Sequence, residues 1–287
     1  MHGTIRTSPA ARALLLFSIV AAPACATSRV RASTGGAAAP RDAATLALTP
    51  YFRELRVVHV MAGGDRLTML VDTGGGATLV TPQVAARHGC QPYGHDVGYR
   101  MTGERVAFQR CNAIELSSGR WRRRIEPVAV FDVNALLPKE LPPLDGVLAL
   151  DAFRGDVVTL DWPAGVVTAH GPADADAALA RHGVAVRVAT GETGRMLSAF
   201  VPVAARKGRL WFLLDSGNLR GTLIATDAVG DGLLDRPAAD GHLTLTIASL
   251  PPASMPASVT DLTIDGALGT SFLMQAPVTL DLRGRPD

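Results

Sequence analysis

The sequence lacks a charge excess of either sign: across 287 residues, 28 Lys and Arg face 26 Asp and Glu, leaving a formal net charge of +2. A body so balanced gives no electrostatic ground for a nucleic-acid partner. The bases are almost all Arg, a matter of composition more than of function. Arg120-Trp121-Arg122-Arg123-Arg124 has no second basic cluster beside it and reads as a solvated strand or loop. Apolar runs long enough to cross a bilayer are missing too; Ala13 to Ala22 is too short for a permanent spanning helix. Cysteine is scarce. Cys25, Cys90 and Cys111 have no His or Cys neighbours at metal-ligand spacing, so no metal is expected. Nor is there a nucleophile-elbow motif, which removes the common serine-hydrolase frame. The length allows one large domain or two modest ones, either with a real core.

What is present begins with a targeting segment. Arg6 and Arg12 precede the apolar stretch, and Ala22-Pro23-Ala24 forms a small-residue cleavage site, so residues 1–24 read as a signal peptide. Cys25 follows at once and is the lipidation candidate, as in a bacterial lipoprotein signal; cleavage after Ala24 without acylation fits the same residues. Export is expected, to the periplasm or as an outer-membrane lipoprotein, with membrane contact only through an anchor at Cys25. Residues 25–48, rich in Ala, Ser, Gly and Arg as far as Thr45, read as a flexible tether. An oxidising compartment then favours a disulfide between Cys90 and Cys111, the two cysteines left in the mature body. Closing that loop contributes about 3 kcal/mol where the geometry allows.

One short device occurs twice. Met69-Leu70-Val71-Asp72-Thr73-Gly74 and Phe212-Leu213-Leu214-Asp215-Ser216-Gly217 each run an apolar strand into Asp-(Thr/Ser)-Gly. The flanks match as well. Val57-Val58-His59-Val60 lies over Phe200-Val201-Pro202-Val203, and the turn-like Gly63-Gly64-Asp65 lies over Arg206-Lys207-Gly208, so each copy predicts a hairpin whose second strand delivers the Asp. Short apolar strands follow at Thr78-Leu79-Val80 and Thr222-Leu223-Ile224-Ala225. A helix is predicted next in the first copy, with Thr81 as N-cap, Pro82 at its first position and Gly89 past its end; Thr226-Asp227 opens a similar segment in the second. Closing blocks correspond too: Asp145-Gly146-Val147-Leu148-Ala149 with Asp265-Gly266-Ala267-Leu268-Gly269, and Val158-Thr159-Leu160-Asp161 with Val278-Thr279-Leu280-Asp281. The copies lie 143 residues apart at the Asp motif and 120 apart at the closing block, so the first half holds 23 residues more between them. That surplus includes Cys90, Cys111 and a hairpin-like run from Gly98 to Arg105. Strand-rich patterning with frequent turns argues for all-β lobes.

These motifs resemble the bilobal aspartic peptidases of the retropepsin/pepsin-like (acid protease) group, in its bacterial exported branch, from about Leu55 to near the C-terminus. The shared pattern is two apolar residues, Asp, Thr or Ser, and Gly, followed later by two apolar residues and Gly. Ala267-Leu268-Gly269 matches the second part, whereas Val147-Leu148-Ala149 carries Ala where a Gly permits close packing against the catalytic loop. The resemblance implies two duplicated β-barrel-like lobes, at residues 49–172 and 173–287, with an active-site cleft between them. It also implies a flap hairpin from the first lobe, with Tyr99 as the candidate aromatic.

Asp72 and Asp215 would share a proton, one activating water and the other protonating the developing oxyanion, with no cofactor. Thr73 and Ser216 would hydrogen-bond backbone across the axis, and Gly74 and Gly217 would let amides point at the carboxylates. The expected partner is a polypeptide substrate, and the expected state a monomer. Two rivals stand: a catalytically inactive peptidase-like binding protein of the envelope, and an actin-like nucleotide binder suggested by Val71-Asp72-Thr73-Gly74-Gly75-Gly76. The second copy, Asp215-Ser216-Gly217-Asn218-Leu219-Arg220, has no such Gly run.

Overall fold

The computed structural model describes residues 27–28, 43–191 and 194–284; the signal peptide and Cys25 lie outside the described residues. The expected hairpins form in both halves and share one register. Leu55–Ala62 pairs antiparallel with Asp65–Val71, setting Val57 opposite Leu70 and His59 opposite Thr68. Leu197–Ala204 pairs with Arg209–Leu214, setting Phe200 opposite Leu213 and Pro202 opposite Trp211, the equivalent positions 143 residues on. Gly63 and Gly64 both take positive φ in the first hairpin's turn, a conformation that glycine adopts without penalty.

Each Asp-bearing strand is then flanked on its other side by a closing block, in parallel. Gly146–Leu148 sets Gly146 beside Met69 and Leu148 beside Val71; Gly266–Leu268 sets Gly266 beside Phe212 and Leu268 beside Leu214. The carboxylate ahead of each block clamps the hairpin. Asp145 Oδ2 accepts from the Thr68 amide at 2.9 Å and Asp265 Oδ2 from the Trp211 amide at 2.8 Å. The duplication thus extends to individual hydrogen bonds.

The two halves are joined by sheet. Val278–Asp281, from the second half, pairs antiparallel with Val157–Asp161 of the first, and the equivalent residues Thr159 and Thr279 face each other with hydroxyls 2.7 Å apart. Equivalent threonines meeting in this way mark a pseudo-two-fold axis. Among the described residues the strands form two open sheets of 8 and 13 strands, the larger including Val278–Asp281, and no closed barrel. The chain has an acid-protease-like fold.

Four local features differ from the sequence reading or refine it. The tether expected as far as residue 48 ends sooner, since strand Ala44–Phe52 begins at Ala44 and buries Leu46 and Leu48 against the body. A helix that periodicity did not reveal, Pro172–His182, packs Ala175, Ala178 and Leu179 onto Val157. The helix after the first Asp motif spans Pro82–Arg87, and the Thr81 hydroxyl accepts from the Val84 amide. The basic run lies on strand Trp121–Ile125, whose ends Trp121 and Ile125 are buried while Arg122 and Arg124 point outward.

Candidate active site

Both Asp motifs leave their strands at the pseudo-two-fold axis, where their loops are cross-bonded. Thr73 Oγ1 donates to the Leu214 carbonyl at 2.8 Å and accepts from the Ser216 amide at 2.9 Å. Ser216 Oγ donates to the Val71 carbonyl at 2.9 Å and accepts from the Thr73 amide at 3.0 Å. Each hydroxyl therefore uses its donor and an acceptor site on the opposite loop, and all four bonds are buried. Such a lattice fixes two loops that are far apart in sequence to a single relative position.

The carboxyl groups are held just as symmetrically. The Gly74 amide donates to Asp72 Oδ1 and the Gly217 amide to Asp215 Oδ1, both at 3.0 Å. The glycines are required by the closeness of the partner loop. A Cβ at Gly74 would stand 2.5 Å from the Asp215 carboxyl carbon, and one at Gly217 would stand 2.6 Å from Asp72 Oδ2. Each carboxyl thus lies against the other lobe's glycine, and both aspartates are fully buried. Burial first, then the adjacent Asp215 charge, raises the Asp72 pKa well above the carboxylate range, while the amides of Gly74 and Gly75 oppose the shift. A pair in this position holds one proton between two carboxylates. Among the described residues Asp72 Oδ2 receives no amide or hydroxyl, and a carboxyl–carboxyl hydrogen bond with Asp215 also raises the Asp72 pKa.

Behind the dyad the lobes diverge. In the second lobe Gly269 is obligatory: its amide donates to the Gly221 carbonyl at 3.1 Å, and a Cβ there would stand 2.4 Å from that oxygen. In the first lobe the amide of Ala149 donates instead to the Thr78 hydroxyl at 3.1 Å. The Ala149 methyl is buried at this position.

Thr78 is fixed in turn by Asp151, whose Oδ1 accepts from the Thr78 hydroxyl at 2.5 Å and from its amide at 2.8 Å. Burial pushes Asp151 up to about 6 despite these donors. Thr78 and Asp151 were not singled out from the sequence. Extending the repeat pairs Asp151 with Ser271, a signal that this position carries a polar side chain in both lobes. Asn218 was missed as well; it supports the longer second loop by donating to the Gly221 carbonyl and accepting from the Arg220 amide.

The surplus region of the first lobe includes a hairpin, Tyr93–Tyr99 with Arg105–Cys111, at the place expected for a flap. Tyr99 is half exposed on its outgoing strand, whereas the buried residue of the tip is Met101. Cys90 and Cys111 are bonded, with Cα atoms 5.9 Å apart, tying the base of this hairpin to the segment after helix Pro82–Arg87. A cavity of about 1040 Å³ runs beneath the hairpin, between Tyr99, Phe108 and Arg110 on one side and Asp151, Arg154 and Met196 on the other.

Comparison with known proteins bears on the first lobe and on the fold. Residues 58–152 match the family model described as aspartyl protease, which covers the strands, loop and closing block of the first lobe. No curated protein matches the chain in sequence. Among solved structures, the basic 7S globulin from soybean matches with a TM-score of 0.50 at 10% identity, over 85% of this chain and 93% of that one. Conglutin gamma, a basic 7S globulin from lupine seeds, matches with a TM-score of 0.48 at 9% identity, over 84% of this chain and 93% of that one.

Proposed function

We propose that this chain, whose first lobe matches the aspartyl protease family and whose body has the acid-protease-like fold, is an aspartic endopeptidase that cleaves peptide bonds with water activated between Asp72 and Asp215. The observation that carries this reading is the reciprocal Thr73–Ser216 lattice, which holds two buried carboxyl groups against each other. The ionised member of the pair takes a proton from water as its oxygen attacks the scissile carbonyl. The protonated member donates to the developing oxyanion, and the collapse of the tetrahedral intermediate returns a proton to the leaving amine. The shared proton makes the reaction depend on one carboxylate being neutral. Activity therefore falls at alkaline pH as the pair loses that proton, and falls in acid as both members become protonated.

On this reading the substrate is a polypeptide and the protein acts as a monomer. The N-terminal signal directs it to the periplasm or, through acylation of Cys25, to the outer membrane. Cleavage of an unfolded test protein by purified mature protein is the direct measurement. Asp72→Asn and Asp215→Asn should each lower kcat by about a thousandfold or more, on the order expected when a proton-transferring group is lost. Undiminished cleavage by either variant would remove the two-carboxylate mechanism. A second reading, a peptidase-like binding protein of the envelope, is favoured by one observation: neither aspartate lines the 1040 Å³ cavity. Peptide binding without turnover by the unaltered protein would select it.

A further inference from the structure

The cavity beneath the hairpin is rich in arginine: five line it, against three carboxyl groups. Most of that positive charge is already compensated. Arg110 pairs with Asp96 at 2.9 Å, Arg123 with Asp156, and Arg124 with Glu126 at 2.7 Å and Glu115 at 3.3 Å. Arg154 differs. Among the described residues it pairs with no carboxylate, and its Nη2 donates instead to the Arg195 carbonyl at 2.9 Å and the Met196 carbonyl at 3.3 Å. Asp151, three residues earlier, turns Oδ1 to Thr78. Burial pushes Asp151 up to about 6 even with Arg154 acting against the shift, so neither group neutralises the other.

Local structure sets Arg154 in this place. It ends the helical turn Leu150–Phe153, which follows the closing block Gly146–Leu148. The carbonyls it holds precede strand Leu197–Ala204 of the second lobe, whose first amide donates to the Gly76 carbonyl at 2.7 Å. One nitrogen thus pins the guanidinium where the lobes meet, while the residue stays exposed. Nε and Nη1 make no hydrogen bond among the described residues, so charged donors remain for an incoming acceptor. The fold does not itself demand a charge here. The repeat sets Arg154 over Met274, an exposed methionine, 120 residues on.

We infer that the cavity is a subsite for an acidic side chain, Glu or Asp, of a bound polypeptide, and that Arg154 determines this preference. The aliphatic stem of that side chain lies among Tyr99, Phe108 and Met196, and its carboxylate meets the unused donors of Arg154. The arginines that have carboxylate partners keep them and form the walls. Ala77, five residues past Asp72, also lines the cavity, so the subsite adjoins the first Asp loop without including either aspartate. That the bound chain is a substrate rests on the endopeptidase reading; the preference for acid does not.

Two synthetic peptides test it, one rich in Glu and its counterpart with every Glu replaced by Gln. Calorimetry at fixed ionic strength, in the Asp215→Asn background so that neither peptide is consumed, should show the Glu peptide bound about tenfold more tightly. Arg154→Gln should abolish that preference and leave the affinity for the Gln peptide as it was. Arg154→Lys, which keeps the charge, should retain most of the preference, and its comparison with Arg154→Glu, which should reverse it, stands in if the Gln variant does not fold. Arg122→Gln removes an outward arginine that does not line the cavity and should change the preference by less than about twofold. Equal binding of the two peptides, binding of neither, or equal losses in Arg154→Gln and Arg122→Gln would overturn the inference. Turnover by the protein with both aspartates separates it from the peptidase reading. Preferential binding of the Glu peptide without cleavage of either removes the endopeptidase and keeps the subsite. Cleavage of both at equal kcat/KM removes the subsite and keeps the endopeptidase.

Discussion

The two lobes are alike where they place the aspartates and unlike where they cover them. Hairpin register, closing block, carboxylate clamp and cross-bonding hydroxyls all recur at equivalent positions. The loops behind the dyad and the elements above it do not. The first lobe supports its loop with Thr78 and Asp151 and the second with Asn218 and Gly269. The first also has two hairpins, Tyr93–Tyr99 with Arg105–Cys111 and Ile114–Ser118 with Trp121–Ile125, where the second, among the described residues, has His242–Leu245 with Ala253–Thr260. A shared proton needs two matched carboxyl groups, so that part tolerates no asymmetry. On the endopeptidase reading, an extended substrate would meet the two lobes with different residues, which leaves the covering parts free to differ.

The sharpest way to break the equivalence is at the cross-lobe lattice. Thr73→Val leaves the Leu214 carbonyl and the Ser216 amide buried without partners, a cost of about 4 kcal/mol at roughly 2 kcal/mol for each orphaned group. Ser216→Ala orphans the Val71 carbonyl and the Thr73 amide and should cost the same. Denaturant midpoints measure both; a difference of more than about 1 kcal/mol between the variants would show that the lobes do not share the load evenly. Next in size is the closing position, where the comparison should fail in a definite direction. Gly269→Ala drives a methyl into the Gly221 and Asn218 carbonyls and should cost about 3 kcal/mol. Ala149→Gly only loosens a strand end and should cost below about 1 kcal/mol. Equal costs would mean that the two loops approach their closing blocks to the same depth.

How much of this was legible in the sequence follows from the range of each interaction. The Asp motifs, their hairpins and the closing blocks were readable because strand patterning is local and the repeat supplies an independent copy of each pattern. The pairing of Cys90 with Cys111 was readable because the mature body holds no other cysteine. Met101 was not, since its partners lie in the other lobe and a methionine in a turn carries no local signal. Tyr99 drew attention as the aromatic of the run, yet the strand's alternation turns it toward solvent. Helix Pro172–His182 was hidden by its Ala-rich composition, which gives little apolar periodicity. Strand Ala44–Phe52 shared small-residue composition with the expected tether, although Leu46 and Leu48 already alternate with the smaller Thr45, Ala47 and Thr49.

A further effect is specific to one lobe and is read in pH dependence, not in a single midpoint. Asp151, with its folded value pushed up to about 6, binds a proton more readily in the folded chain than in the unfolded one. Its contribution to stability is therefore complete below about pH 4 and is lost as pH rises through about 6. Asp72 is raised in the same sense, so the unaltered protein loses stability toward neutral pH from both groups. Asp151→Asn keeps an oxygen for Thr78 to donate to and cannot ionise, so it should remove only the first part: the variant gains on the unaltered protein between pH 4 and 7. Ser271, the equivalent residue of the second lobe, does not titrate in this range, and Ser271→Ala should leave the pH slope as it was. Denaturant midpoints at pH 4 and pH 7 for the three proteins decide the matter. Parallel slopes in the unaltered and Asn variants would mean that Asp151 stays ionised beside Thr78 and that its hydrogen bonds outweigh its burial.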